Sequence, residues 1–242
     1  ANDSEDEDED LYDTKPGRTT PTPEVRSSPT PTASPGSNSD QTLPTETPVP
    51  SNTPSGKKYM QMGPAEKQAY IAERAMRIAQ VIGNRSTDHI PPDAVNKIKI
   101  DVDAYASRLN KKPLSGCRMG DNLQVTYERA SKNAPFIIRA FNAKGLDPRI
   151  GLYLAMIESE HCVCLQSGTG PLGMFQFTKS TGENHGLRTV RGATPANPDE
   201  RCEPEPSARA AASYMKSLTG RYGTGPASVP LAIGSYNSGE GG

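Results

Sequence analysis

Apolar residues first recur at helical spacing at Ile71, Ala75, Ile78 and Ile82, which predicts a helix over residues 65–82 with Gly83 as its stop. The pattern returns at Val95, Ile98, Val102, Tyr105 and Leu109 and predicts a second helix over 92–109. Pro91 and Pro92 stand at its start, where a missing N–H costs little. These two segments suit an antiparallel hairpin that supports a larger body. Leu123, Tyr127 and Ala130 share one side of a third helix over 122–132. Pro135 opens another through Phe136, Ile137, Ala140 and Phe141, closed by Gly145. Asp147 as N-cap and Pro148 at the first helical position then start a helix that runs to about Glu160. Residues 162–206 are rich in Gly, Pro, Thr and charge and read as long loops with short helical pieces. Ser207 caps a helix that turns Ala211, Tyr214, Met215 and Leu218 inward, and Pro230 begins a last short one through Tyr236. With no strand run and no long internal repeat, the fold class is mainly α.

Composition limits where that pattern can begin. Residues 1–13 carry eight of the 28 acids and no base, and residues 14–56 hold ten of the 23 prolines among mostly Thr and Ser. So little apolar surface cannot offset the entropy of ordering, so residues 1–56 are expected to be a disordered tether, acidic and then Pro/Thr/Ser-rich. The composition also fits a glycosylated stalk. About 185 residues remain, enough for one core. They divide into a helical accessory region over 57–120 and a larger helical domain over 121–242.

Charge and length exclude more than they identify. The net charge of −1 hides a basic body, because the remaining 20 acids face all 27 bases. That excess of about +7 suits an anionic polymer and is equally an ordinary surface property; no nucleic acid is expected as a partner. The longest apolar run, Ile150 to Ile157, is far short of the ~20 residues that span a bilayer. The chain begins with Ala, as a processed or cut chain would.

The four cysteines, Cys117, Cys162, Cys164 and Cys202, lack zinc-type spacing and lean toward disulfides and an oxidising compartment. A bond between Cys162 and Cys164 would be strained. Each is therefore expected to reach one of Cys117 and Cys202, in either of two pairings. No metal site is expected.

The stretch Leu154-Ala155-Met156-Ile157-Glu158-Ser159-Glu160-His161 places an acid where a core helix ends. Glu158 falls in the final turn, where the negative end of the helix dipole and the apolar residues before it both raise a carboxyl pKa. A carboxylic acid still protonated near neutral pH can act as a general acid. Glu160, two residues on, points elsewhere and is read as structural, and His161 and His185 as surface residues.

Downstream lie Ser167-Gly168-Thr169-Gly170-Pro171-Leu172-Gly173-Met174-Phe175-Gln176-Phe177 and, later, Ser235-Tyr236-Asn237-Ser238-Gly239. Glu158-Ser159, this Gly-rich loop and the Tyr-Asn-x-Gly end, in that order, resemble the catalytic domain of SLT-type lytic transglycosylases, which has the goose-type lysozyme fold. The resemblance covers roughly residues 145–242. Pro171 stands where the family has Ala, and Phe175 where Met is commoner. Family domains usually continue with at least one more helix, so the domain is expected to be cut at its C-terminal end.

The resemblance implies the roles. Glu158 is the single catalytic acid, protonating the oxygen between N-acetylmuramic acid (MurNAc) and N-acetylglucosamine (GlcNAc). As a carboxylate it then takes the proton of the muramic C6 hydroxyl, which closes on C1 as a 1,6-anhydro end. The substrate's acetamido group steadies the cationic centre, so no second carboxylate is required. Ser159 fixes the backbone or touches sugar. Gly170 and Gly173 let the loop pass close to the saccharide. Met174 packs beneath the sugar or in the core, and Gln176 hydrogen-bonds the substrate. Tyr236 orients the acid or tunes its pKa, and Asn237 stabilises the turn before Gly239 or meets substrate. No cofactor is implied.

The implied partner is the peptidoglycan glycan strand, in the periplasm or outside the cell, with cell-wall or secretion machinery reached through the tether. Three rival readings remain: a lysozyme-like hydrolase of the same bond, a non-catalytic peptidoglycan-binding module, and a disulfide-stabilised assembly protein that works through its 65–109 helices. The enzymatic readings require Glu158, Gln176 and Tyr236 to face one groove.

Overall fold

Helix formation follows the apolar spacing over most of the chain. The computed structural model describes residues 56–82, 89–223 and 227–238. The tether expected over 1–56 lies outside these residues except for Gly56, as do Gly83 and Gly239. Seven α-helices form among the described residues: α1 (Pro64–Val81), α2 (Pro92–Ala106), α3 (Leu123–Ala143), α4 (Pro148–Ser159), α5 (Lys179–Asn184), α6 (Pro204–Arg221) and α7 (Ser228–Ser238). Extended pairing among them is limited to three isolated bridges, two of which, Gln166 with Leu172 and Leu172 with Phe177, shape the loop after α4. None of these helices is long and apolar enough to cross a membrane.

Three boundaries close to prolines differ from the sequence expectation. Residues 123–143 form a single helix with Pro135 inside it. Pro135 lacks the N–H that would bond one turn back. The helix nevertheless continues, because Ile137 and Phe141 beyond it lie on the same buried face as Thr126 and Asn133 before it. α6 begins at Pro204, three residues before Ser207, and α7 at Ser228, two before Pro230. Pro204 and Pro206 in α6 fall in its first turn, where N–H groups have no helical partner to lose. Ser207 is therefore an interior residue, buried with its hydroxyl unpartnered.

The core lies where α3 packs on α4 and α6, and α6 on α7. Ile137, Phe141, Leu154, Met174, Phe175 and Met215 are fully enclosed there. α3 and α4 cross closely at Gly151, where an added Cβ would come within 2.5 Å of the Phe141 ring. Any side chain at 151 would push α4, and with it the acid at its end, away from α3.

α1 and α2 pack on each other as expected. Asp103 clamps them, accepting from Lys99 (2.6 Å), Lys67 (2.8 Å) and the Tyr59 hydroxyl (2.9 Å). Those donors hold the Asp103 carboxyl far below the usual carboxylate range. The connection from α2 into the main body runs through Arg108, whose guanidinium stacks on Tyr105 and pairs with Glu160 at 2.8 Å.

Candidate active site

α4 presents the acid. Asp147 caps it, accepting from Arg149 N–H at 2.9 Å, and Pro148 takes the first helical position. The apolar residues Ile150, Leu154 and Ala155 fix one face in the core. Glu158 is then the penultimate residue, half-buried, with Oε1 enclosed and without a hydrogen-bond partner. Burial raises its carboxyl to about 7. A carboxyl that lacks donors has nothing to favour its charged form, so the protonated acid persists toward neutral pH.

The turn after Glu158 is strained and heavily braced. Glu160 (φ 50°) and His161 (φ 61°) both adopt the left-handed region, at a cost of order 1–2 kcal/mol each for residues with a side chain. The Glu160 carboxylate, almost fully buried, accepts from Arg108 at 2.8 Å and from Gly120 N–H at 3.1 Å. Its backbone carbonyl accepts from Arg129 (3.3 Å), and that of His161 from Asn133 (2.9 Å). Cys162 follows immediately in a disulfide with Cys117. Glu160 is structural, as expected. His161 is not a surface residue: it is buried, and burial followed by the Arg129 charge lowers its imidazole to about 4, which keeps it neutral. His185 is half-buried and stacks on Tyr214, with ring centres 4.7 Å apart.

The loop over 165–177 forms the facing wall. Leu172 and Phe177 exchange backbone hydrogen bonds at 3.0 and 3.2 Å, and Gly173 N–H donates to Leu165 at 2.8 Å. The second disulfide, Cys164–Cys202, ties the loop's start to the segment around Arg201. Arg201 forks onto Asp199 at 3.0 and 2.9 Å and reaches the Phe177 carbonyl at 3.3 Å. Gly173 serves this junction and not the sugar: an added Cβ would lie 1.9 Å from the Arg201 carbonyl oxygen. Gly170 has open space around it and a φ of 108°.

Between these walls lies a groove of about 650 Å³, and Glu158, Gln176, Tyr236 and Asn237 all line it. The three residues on which the enzymatic readings depend are thus brought together. Gln176, itself at φ 51°, donates its amide to Gly173 (2.7 Å) and Leu165 (2.9 Å), so its carbonyl oxygen is the atom left for a ligand. The Tyr236 hydroxyl donates to the Phe175 carbonyl at 3.0 Å and not to the acid. That hydroxyl is enclosed, and burial, then the Glu158 charge and then Tyr214 raise its pKa well above the ordinary value. Asn237 is exposed on the rim.

Ser159 and Met174 do not reach the groove. Both are wholly inaccessible, and the Ser159 hydroxyl donates to the Met174 carbonyl at 2.8 Å. Of the alternatives weighed for them, backbone fixing and core packing are the ones their burial allows. Met119 and Tyr214 also line the groove, and neither carried a functional signal in the sequence. Tyr214 read as core; Met119 sits two residues from Cys117, and that proximity was the available hint.

Residues 135–242 match the family model of the transglycosylase SLT domain. The peptidoglycan transglycosylase gp16 of Escherichia phage T7 is 34% identical over 119 residues, covering 47% of this chain. The chain spans only 8% of that relative's length.

Proposed function

We propose, from the premise that residues 135–242 are a transglycosylase SLT domain, that this chain cleaves the β-1,4 bond between MurNAc and GlcNAc in peptidoglycan and leaves a 1,6-anhydroMurNAc end. The observation that carries this is the unpartnered, enclosed Glu158 oxygen in the groove. Glu158 gives its proton to the bridging oxygen as the bond from that oxygen to C1 breaks, and GlcNAc departs with a new hydroxyl. The carboxylate then takes the proton of the muramic C6 hydroxyl as its oxygen bonds C1. The acid is restored, and no water is consumed. One carboxyl performs both steps, which suits a group whose pKa lies near neutrality. The Gln176 carbonyl oxygen is the acceptor available to a sugar N–H or hydroxyl, and Asn237 offers a second polar contact on the rim.

The two disulfides suit action outside the cytoplasm, where the wall polymer lies. The test is product analysis by mass on purified peptidoglycan with Glu158→Gln alongside. Fragments one water below the reducing form, absent with the variant, are expected. Fragments with reducing ends only would assign the same groove to hydrolysis. Equal behaviour of variant and wild type, with both binding the wall and neither releasing fragments, would reduce the chain to a binding module.

A further inference from the structure

The groove has a component from outside the matched domain. Met119, in the connection between α2 and α3, lines it together with Ile157 and Glu158. Met119 is 46% exposed and Ile157 57%, so two large apolar side chains stand uncovered beside the acid. Apolar surface left open next to polar groups in a groove marks a contact that a ligand completes.

The connection is held in place without a core of its own. No residue from 111 to 119 is buried, so apolar burial does not order this stretch. Polar bonds and a covalent link order it instead. Asn122 donates to the Lys111 carbonyl at 2.6 Å, Lys111 to the Gly120 carbonyl at 2.7 Å, and Leu114 N–H to the buried Asp121 carboxylate at 2.9 Å. Arg129 reaches the Arg118 carbonyl at 3.4 Å. Gly120 N–H donates to Glu160, and Cys117 is bonded to Cys162. The last two fasten it to the turn directly after the acid. Met119 is thereby registered against Glu158 from both of its neighbours, Cys117 two residues before it and Gly120 one after. Holding an exposed segment still costs conformational entropy, which the fold here offsets at the groove's edge.

We propose that Met119, held in place by the connection over 109–121, forms part of the wall of the glycan groove and, with Ile157, packs on the apolar C–H face of a pyranose ring in the bound strand. A flexible, polarisable thioether suits such a face, which presents no hydrogen-bond partner. The contact adds affinity and helps choose substrate without taking part in the proton transfers. This rests on the glycan-cleaving reading above, and the test separates the two.

Met119→Ala and Met119→Glu are made in the Glu158→Gln background, and retention on insoluble peptidoglycan is measured by sedimentation. Ala is expected to weaken retention about three- to tenfold, the scale of one apolar contact, and Glu more. In the active background KM rises by a similar factor while kcat stays within about twofold, the mark of binding shared by ground and transition states. Because the Met119 side chain stands on the surface, thermal midpoints should not move. The Cys117→Ser/Cys162→Ser pair should weaken retention in the same direction. Retention of Met119→Glu equal to that of its parent overturns the wall assignment, even if Glu158→Gln abolishes cleavage. Cleavage that survives Glu158→Gln overturns the proposed function while retention still reads Met119. Absence of any retention overturns both.

Discussion

The Ser159 hydroxyl donates to the Met174 backbone carbonyl at 2.8 Å, with neither residue accessible to solvent. The residue after the acid is thereby tied to the loop beneath the opposite wall. Ser159→Ala leaves a buried carbonyl unpaired, at a cost of about 1–3 kcal/mol. Denaturant melts should show that loss. Turnover should fall with KM little changed, since Glu158 loses its register rather than the sugar a contact. A raised KM at unchanged stability would return Ser159 to the substrate.

The acid itself predicts a pH limb. With Glu158 raised to about 7, kcat/KM should fall about tenfold per pH unit above that value as the proton donor is lost. Stability moves with it. The unfolded carboxyl ionises near 4.5 while the folded one stays protonated to about 7. Between those values the unfolded state sheds a proton that the native state keeps, so stability falls as pH rises and stays reduced above about 7. Glu158→Gln removes that penalty. It should be more stable than wild type by about 1–3 kcal/mol at pH 8 and little different at pH 4, measured by denaturant melts.

Tyr236 is predicted to act through the wall it holds. Its hydroxyl bonds the Phe175 carbonyl at 3.0 Å, and burial is what raises Glu158. Tyr236→Phe should therefore leave the alkaline limb of the pH profile near 7 while lowering turnover by less than about tenfold, the worth of one neutral hydrogen bond. A limb displaced by a full unit would show that the hydroxyl bonds the acid during the reaction.

What the sequence disclosed follows from the range of the forces involved. Apolar spacing located α1, α2 and α6 to within a few residues, because a helix that buries one face writes that face at intervals of three and four, and the Asp147-Pro148 start signal located α4. It split α3 at Pro135, because the local cost of a proline is visible in sequence and the burial of Ile137 and Phe141 that outweighs it is not. Glu158, Gln176 and Tyr236 were legible through the ordered motifs around them. Met119 was not: its place in the groove depends on Cys117 finding Cys162 and Gly120 finding Glu160, contacts more than 35 residues apart. The loop glycines were legible as special, but the Arg201 carbonyl that requires Gly173 comes from 28 residues downstream.

The cysteine pairing is open to a direct check. Sequence alone allowed two pairings, and the fold joins Cys117 to Cys162 and Cys164 to Cys202. Peptide mapping without reductant should find those two links. Each closes a loop of about 40 residues, so reduction should remove up to about 4 kcal/mol per bond on chain-entropy grounds and lower the thermal midpoint markedly. Recovery of a Cys117–Cys164 peptide would contradict the arrangement of both groove walls.

Gly173 and Gly170 make a paired test of why the loop is rich in glycine. Both have φ in the region that residues with a side chain avoid, 92° and 108°. Their surroundings differ. Around Gly170 an added Cβ meets nothing within 4 Å, whereas at Gly173 it would lie 1.9 Å from the Arg201 carbonyl oxygen. Gly170→Ala should therefore cost only backbone strain, about 1–3 kcal/mol. Gly173→Ala adds a clash with backbone that cannot rotate away, since Arg201 is forked onto Asp199 and Cys202 is bonded to Cys164. Its loss should exceed about 4 kcal/mol, beyond the usual range for a single substitution. Urea titration of the two variants beside wild type measures the difference. Comparable midpoints would mean that the Arg201 segment yields to a methyl group, and the groove wall it supports would then be softer than the fold implies.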